Sequence, residues 1–175
     1  SHKNDQLGYI FSTTEFPGSY AVKCYTDSRY TYYVPETLKK VTLTKNAGEY
    51  AFADCISLEE IVFAESFEDK KTEKYFAYNC KNLKNISLPS NIEFIGDMAF
   101  NGCSLIENIH IPESVNRIYY GAFNNTKWYE KLKEKFEIVG NGVLLKYNGT
   151  DTEITIPENV KCISSAFEGR SDITS

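Results

Sequence analysis

Chemistry-bearing residues are scarce in this chain. It has two histidines, one of them at position 2, with one tryptophan, one methionine and five prolines in 175 residues. No His-Glu-x-x-His, Cys-x-x-Cys or paired histidine offers a metal site, and no Gly-rich phosphate loop or nucleophile elbow is present. His110 lies between Ile109 and Ile111, so on a strand it faces solvent. Glu59 and Glu60 would point to opposite strand faces and form no acid/base pair. Neither catalysis nor a metal or cofactor is therefore expected. No apolar run approaches ~18 residues, which excludes a membrane-spanning helix. A net charge of −5 without a basic patch argues against nucleic acid as partner.

What the chain does have is a period. Between Leu83 and Phe123 the pattern Leu-x-x-Ile-x-Leu-Pro-x-x-Ile-x-x-Ile, followed by Ala-Phe, is repeated at an offset of 23 residues with Ile106, Ile109, Ile111, Val115 and Ile118 at the apolar positions, and Ala99-Phe100 recurs as Ala122-Phe123. A fixed period of this length signals a solenoid. A weak copy opens at Pro35 with Leu38 and Val41 at the expected offsets, then an insertion precedes Ala51-Phe52, Cys55, Leu58, Ile61 and Phe63. Another copy holds Phe76, Cys80, Leu83, Ile86 and Leu88. Its aromatic sits one residue too far from the cysteine, so a different turn is expected there. The period resumes at Ile154-Thr155-Ile156-Pro157, with Ala166 lying 44 residues after Ala122, which implies one enlarged repeat.

Apolar residues two apart in Leu-x-x-Ile-x-Leu define one face of a short strand pointing inward. Proline removes a ladder donor and ends it. The spacing of three that follows suits a tight turn or a second short extended segment. Ala-Phe carries a small and a large side chain into one core column, with cysteine where the chain turns back. One unit cannot bury its own apolar face, so neighbours must stack. Ile61, Ile86, Ile109 and Ile154 are expected in one inward row.

The run Cys80-x-x-Leu83-x-x-Ile86-x-Leu88-Pro89-x-x-Ile92-x-x-Ile95-Gly96-x-x-Ala99-Phe100-x-x-Cys103 resembles the leucine-rich repeat of bacterial BspA-like surface proteins. The resemblance covers roughly Tyr33 to Phe167. It implies a leucine-rich repeat solenoid with one short parallel strand per repeat, in a secreted or cell-surface protein used for adhesion or protein binding, with no catalytic residues to carry over. Departures are extra residues near Ala47 and Lys70, the shifted Phe76, and Ile106 where leucine is usual.

On this reading residues 1–34 form an N-terminal cap segment and 35–175 the solenoid, with the enlarged repeat at 124–153 and a truncated last repeat. Ser1-His2 has the look of a tag remnant, and the natural protein is expected to continue past Ser175. The aromatic-rich start, with Tyr9, Phe11, Phe16, Tyr20, Tyr25, Tyr30, Tyr32 and Tyr33 and a Pro17-Gly18 turn, fits either a cap over the first coil or a carbohydrate-binding patch. Its place directly before the first repeat favours the cap. Thr42 to Glu49 and Phe67 to Lys74 read as solvated loops.

Trp128, Leu132 and Phe136 recur at i, i+4 and i+8, the stripe of a short helix that Asn125 or Thr126 would cap. The Gly140-Asn141-Gly142 run then marks a hairpin. Cys55, Cys80 and Cys103 share one repeat position and form a column, best read as free buried thiols. Cys162 falls where Lys40, Phe94 and Arg117 stand in other copies, a more exposed place. Cys24 lies outside the repeats.

The candidate binding surface is the outward side of the strands. One column holds Val62, Ser87, His110 and Thr155, and its neighbour Glu60, Asn85, Asn108 and Glu153. Small polar columns of this kind suit a protein or glycan ligand, or stay wet. The other role open to such a module is a spacer or scaffold presenting another domain, possibly catalytic, of a larger surface protein.

Overall fold

The structure, a computed structural model, describes residues 2–4, 8–11, 20–24, 31–35 and 37–173. Strands β1 (His2–Asn4) and β2 (Gly8–Phe11) pair antiparallel. So do β3 (Tyr20–Cys24) and β4 (Thr31–Pro35), where Ala21 faces Val34. The expected Pro17-Gly18 turn lies outside the described residues. Val34 is buried in the same core as the first coil.

Six strands follow: β5 (Lys40–Leu43), β6 (Glu60–Phe63), β7 (Lys71–Thr72), β8 (Asn85–Ser87), β9 (Phe94–Ile95) and β10 (Arg117–Ile118). The chain is the solenoid of short parallel strands that its period implies. In one ladder β5, β6 and β8 run parallel, with Val41, Ile61 and Ile86 in register. In a second ladder β7, β9 and β10 run parallel, with Thr72, Ile95 and Ile118 in register. Thus the half of the repeat after proline is itself extended: Pro89 closes one ladder position and Ile92-x-x-Ile95 opens the next.

A third row of inter-coil bonds runs along the Ala-Phe turn. Ala77 N donates to Ala99 O at 2.7 Å, and Phe100 N to Ala122 O at 2.8 Å. Two left-handed residues four apart bracket each turn: Tyr50 and Asp54, Tyr75 and Asn79, Met98 and Gly102, Gly121 and Asn125. Asn, Asp and Gly tolerate that backbone best, and no β-branched residue occupies any of these positions. Between the brackets, the rings of Phe52, Phe76, Phe100 and Phe123 form a continuous stack, with centroids 5.4, 6.1 and 5.6 Å apart.

The shifted Phe76 does not change the turn, contrary to expectation. Tyr75 and Asn79 have the same left-handed φ as their counterparts, and Phe76-Ala77 reverses Ala-Phe with both side chains buried. A second correction concerns the first coil. Val41 pairs with Ile61 and Lys40 with Glu60, so these residues belong to the first ladder and Lys40 does not align with Phe94 and Arg117. The two supposed solvated loops are corrected in part. Leu43 and Ala47 are buried in one, and Phe67 and Thr72 in the other, where Lys70 O accepts from the Glu93 and Phe94 amides.

Cysteine fills the inside of the turn. Cys55, Cys80 and Cys103 are buried, and the Cys80 and Cys103 thiols donate to Phe52 O and Ala77 O at 2.9 and 3.1 Å. The Cys103 thiol beside it, together with burial, pushes the Cys80 thiol far above the ordinary thiol range, so it stays protonated and unreactive. One period further, Thr126 takes this place, fully buried, with its hydroxyl donating to Phe123 O.

Thr126 also caps α1 (Lys127–Lys131), accepting from Tyr129 N. The helix is shorter than the expected stripe: Leu132 is already extended and Phe136 belongs to a strand. Trp128 packs edge-on against Phe123 as a core residue, at 5.1 Å between centroids. The hairpin forms as expected, with β11 (Phe136–Val139) antiparallel to β12 (Val143–Tyr147), and β12 then pairs in parallel with β13 (Cys162–Ile163). Strand β12 is buried on both sides. Val143 and Leu145 join the main core, while Leu144 and Tyr147 join a second cluster with Ala166, against which Phe136, Ile138, Ile154 and Phe167 pack. Ile154 therefore leaves the inward row, which Ile61, Ile86 and Ile109 share in the main core.

Polar groups lock this second cluster. Arg170, at the repeat position of the cysteines, donates to Gly149 O and Asp151 O at 2.8 Å each and pairs bidentately with Asp172. Asp151 receives the Tyr147 hydroxyl at 2.5 Å and Lys135 Nζ at 2.9 Å. These two partners lower its carboxyl to about 2.

Candidate interaction surface

The first ladder positions part of the expected columns. Glu60 lies beside Asn85 and Val62 beside Ser87, preceded by Lys40 and Thr42 of β5. Alternation along the strands sends Val41, Ile61 and Ile86 inward and leaves these residues facing out. Ion pairs run along the same edge: Lys40 to Glu60 at 2.9 Å, and Lys39 and Lys84 to Glu59 at 3.3 and 3.7 Å. Exposed pairs of this kind contribute at most about 1 kcal/mol each.

The columns do not continue as expected. Residues 108–110 and 153–155 form no strand, and the ladder stops at β8. The enlarged coil claims the next segment instead. Trp128 N donates to Ile106 O at 2.8 Å, and Glu107 is held by Lys127 and Lys131 of α1 at 2.9 and 3.5 Å. The Lys127 contact, reinforced by Lys131, lowers the Glu107 carboxyl. A shallow cleft of about 270 Å³ opens where pairing ends, lined by Lys84, Asn85, Leu105, Glu107 and Asn108. Asn85 and Asn108 are thus brought together across a gap. His110, Glu153 and Thr155 are exposed but lie outside the ladder.

The second ladder carries a surface that the sequence reading did not single out. A cleft of about 410 Å³ is lined by Glu49, Lys71, Glu73, Phe94, Asp97 and Tyr119, among others. Beyond Tyr119 a second cleft, about 290 Å³, separates Arg117–Tyr120 from residues 162–165. The hairpin makes it. Its tip is held between two coils, Asn141 N donating to Val115 O while Gly142 O accepts from Lys161 and Cys162. Beyond that wedge the coils are tied by Ser164 Oγ donating to Ile118 O at 2.8 Å and by the Tyr120 hydroxyl donating to Glu168. Tyr119 and Tyr120 are 39% and 47% exposed. Their signal in the sequence is an aromatic pair following Ile118 where the preceding copy has Gly96-Asp97.

A solenoid of stacked parallel strands with outward polar rows is a repeat architecture. Among the described residues no cluster of three or more His, Cys, Asp or Glu could hold a metal, and no helix is long and apolar enough to cross a membrane. The chain belongs to the BspA type leucine-rich repeat family, whose repeat region matches residues 26–144 and 70–175 in six copies. Three solved structures are similar. A leucine-rich repeat protein from Bacteroides ovatus has 24% identity and a TM-score of 0.45 over 82% of this chain and 28% of its own. The T. pallidum leucine-rich repeat protein has 18% identity and a TM-score of 0.45 over 87% and 64%. A leucine-rich cell surface protein from Faecalibacterium prausnitzii has 17% identity and a TM-score of 0.41 over 84% and 49%. This chain thus spans less than two thirds of each of these proteins. No curated protein matches it.

Proposed function

We propose that this chain is a non-catalytic interaction module of the bacterial cell surface or exterior, binding a protein or glycan through the outward face of its first ladder. The observation that carries this is the pairing of Glu60 with Asn85 and Val62 with Ser87 on a backbone held rigid from behind by Ile61 and Ile86. Asn108, across the adjoining cleft, extends the face, and His110, Glu153 and Thr155 would border it. Hydrogen-bonding side chains on a pre-ordered surface lose little entropy on binding. Residues 1–34 serve as the cap of the 35–175 solenoid, a reading supported by Val34 packing into the first coil's core. The test is a binding screen of the chain against extracellular-matrix proteins and glycans. Asn85→Arg, His110→Glu and Thr155→Lys are expected to abolish the capture seen with the parent. The ion pairs that already satisfy Glu59 and Glu60 favour a second reading, a spacer or scaffold presenting another domain. Absence of capture by the parent chain would select it, whereas capture retained by all three variants would reject this face as the binding surface.

A further inference from the structure

We infer that the paired clefts on the second ladder form a glycan-binding site, with Tyr119 as the platform on which a sugar ring stacks. This goes beyond the first-ladder reading and places a site on a different face of the coil. Tyr119 lines both clefts and is 39% exposed, whereas Phe52, Phe76, Phe100 and Phe123 of the coil interior are buried. Arg117 holds it from one side, its guanidinium 5.8 Å from the ring centroid. Phe94, one coil earlier and the ladder partner of Arg117, adds a second half-exposed ring.

The rim decides the class of ligand. The 410 Å³ cleft is edged by Glu49, Glu73 and Asp97 and by Lys71 and Lys74, and Arg117 of the adjoining cleft brings the two clefts together to three charges of each sign. Lys71 and Glu73 are paired at 2.9 Å, and Asp97 Oδ1 accepts from Tyr120 N at 3.1 Å. A balanced rim has no net attraction for a phosphate chain or an acidic or basic peptide. It does offer carboxylate acceptors and ammonium and guanidinium donors side by side, and a pyranose hydroxyl can donate to one and accept from the other. The sugar's C–H face then covers the aromatic ring. A peptide anchor would need a deep apolar pocket, whereas both clefts are open, the larger edged by charge and the smaller by Arg117, Ser164 and Ser165. The occupant is therefore an uncharged oligosaccharide, with room for one ring on either side of Tyr119.

The test uses the whole chain against a printed panel of neutral oligosaccharides built from hexoses and N-acetylhexosamines, followed by calorimetric titration of the strongest hit. Tyr119→Ala changes an exposed side chain and should leave the melting temperature unchanged while weakening binding about ten-fold. Arg117→Ala should act in the same direction, and Tyr119→Phe should retain most of the affinity because the ring face is kept. The inference is overturned if no neutral oligosaccharide binds, or if Tyr119→Ala binds as the parent does. Loss of binding in Asn85→Arg with Tyr119→Ala unaffected would place the glycan on the first ladder, supporting that reading against this one. The reverse pattern would hold this site and reject the first-ladder face for glycans.

Discussion

Residues 37–126 and residues 127–173 are built from the same inter-coil bonds but hold their cores differently. In both, one carbonyl accepts two consecutive amides of the next coil: Lys70 O from Glu93 and Phe94, Glu93 O from Asn116 and Arg117, and Gly142 O from Lys161 and Cys162. In the first region every coil adds a phenylalanine to one stack and a small side chain to one turn, so each interface repeats its neighbour's chemistry. In the second, β12 divides the interior, and a cluster of the buried residues Leu144, Tyr147 and Ala166 is closed by Arg170 and Asp151. Stability in a stacked array is a sum of local interfaces. The comparison therefore teaches that the first region draws its stability from repetition and the second from single polar contacts.

The strongest way to break that contrast is to remove one ring from the stack. Phe100→Ala should cost about 3–5 kcal/mol, and Leu144→Ala in the smaller cluster about 2–4 kcal/mol. Measured by denaturant unfolding, the double variant should be additive to within about 0.5 kcal/mol, because Phe100 and Leu144 sit in separate clusters. Strong coupling would mean that β12 does not divide the core. Next in size is Gly96→Ala. A Cβ at Gly96 would lie 2.5 Å from the Glu73 carbonyl carbon and 2.7 Å from Lys74 N, both backbone. A loss of about 3 kcal/mol is expected. By contrast Gly169→Ala meets nothing within 4 Å and should lose only about 1 kcal/mol, for its left-handed φ of +77°.

Acid should separate the two regions. The Asp151 carboxyl is lowered from 3.8 to about 2, so the folded state favours its ionised form. That contribution is complete above pH 4 and disappears as pH falls toward 2. Melting curves of the parent and Asp151→Asn should differ at neutral pH and converge near pH 2. Equal differences at both ends would remove the carboxylate from the account. The smallest effect is expected at Cys103→Thr. Thr126 already occupies that repeat position, and a hydroxyl can donate to Ala77 O as the thiol does, so the cost should stay near 1 kcal/mol in a thermal melt.

The period was legible because it is a pattern of side-chain burial, and burial is what the solenoid repeats. Leu83, Ile92, Ile95, Ala99, Phe100 and Cys103 are all fully buried. Features that depend on backbone conformation were not legible. Phe76-Ala77 reads as a defect, yet the left-handed pair Tyr75 and Asn79 keeps the turn unchanged and the core accepts the two side chains in either order. The outward columns were right where β6 and β8 pair and failed beyond Ser87, because α1 takes the Ile106 carbonyl and Glu107 away from the ladder. Tyr119 escaped notice because an off-template residue has no counterpart with which to compare it. The family match establishes the repeat, and residues chosen by column alone remain candidates for the binding tests above.

The left-handed pair brackets the turns at Ala51-Phe52, Phe76-Ala77, Ala99-Phe100 and Ala122-Phe123 alike. Because Met98 and Gly102 hand the chain to the next coil in the same orientation as Gly121 and Asn125, a whole unit can be duplicated or deleted between them. The remainder would translate along the axis with its local geometry intact, carrying the hairpin unchanged. Gene duplication can therefore lengthen such a solenoid by fixed increments without redesigning the coils on either side of the inserted unit.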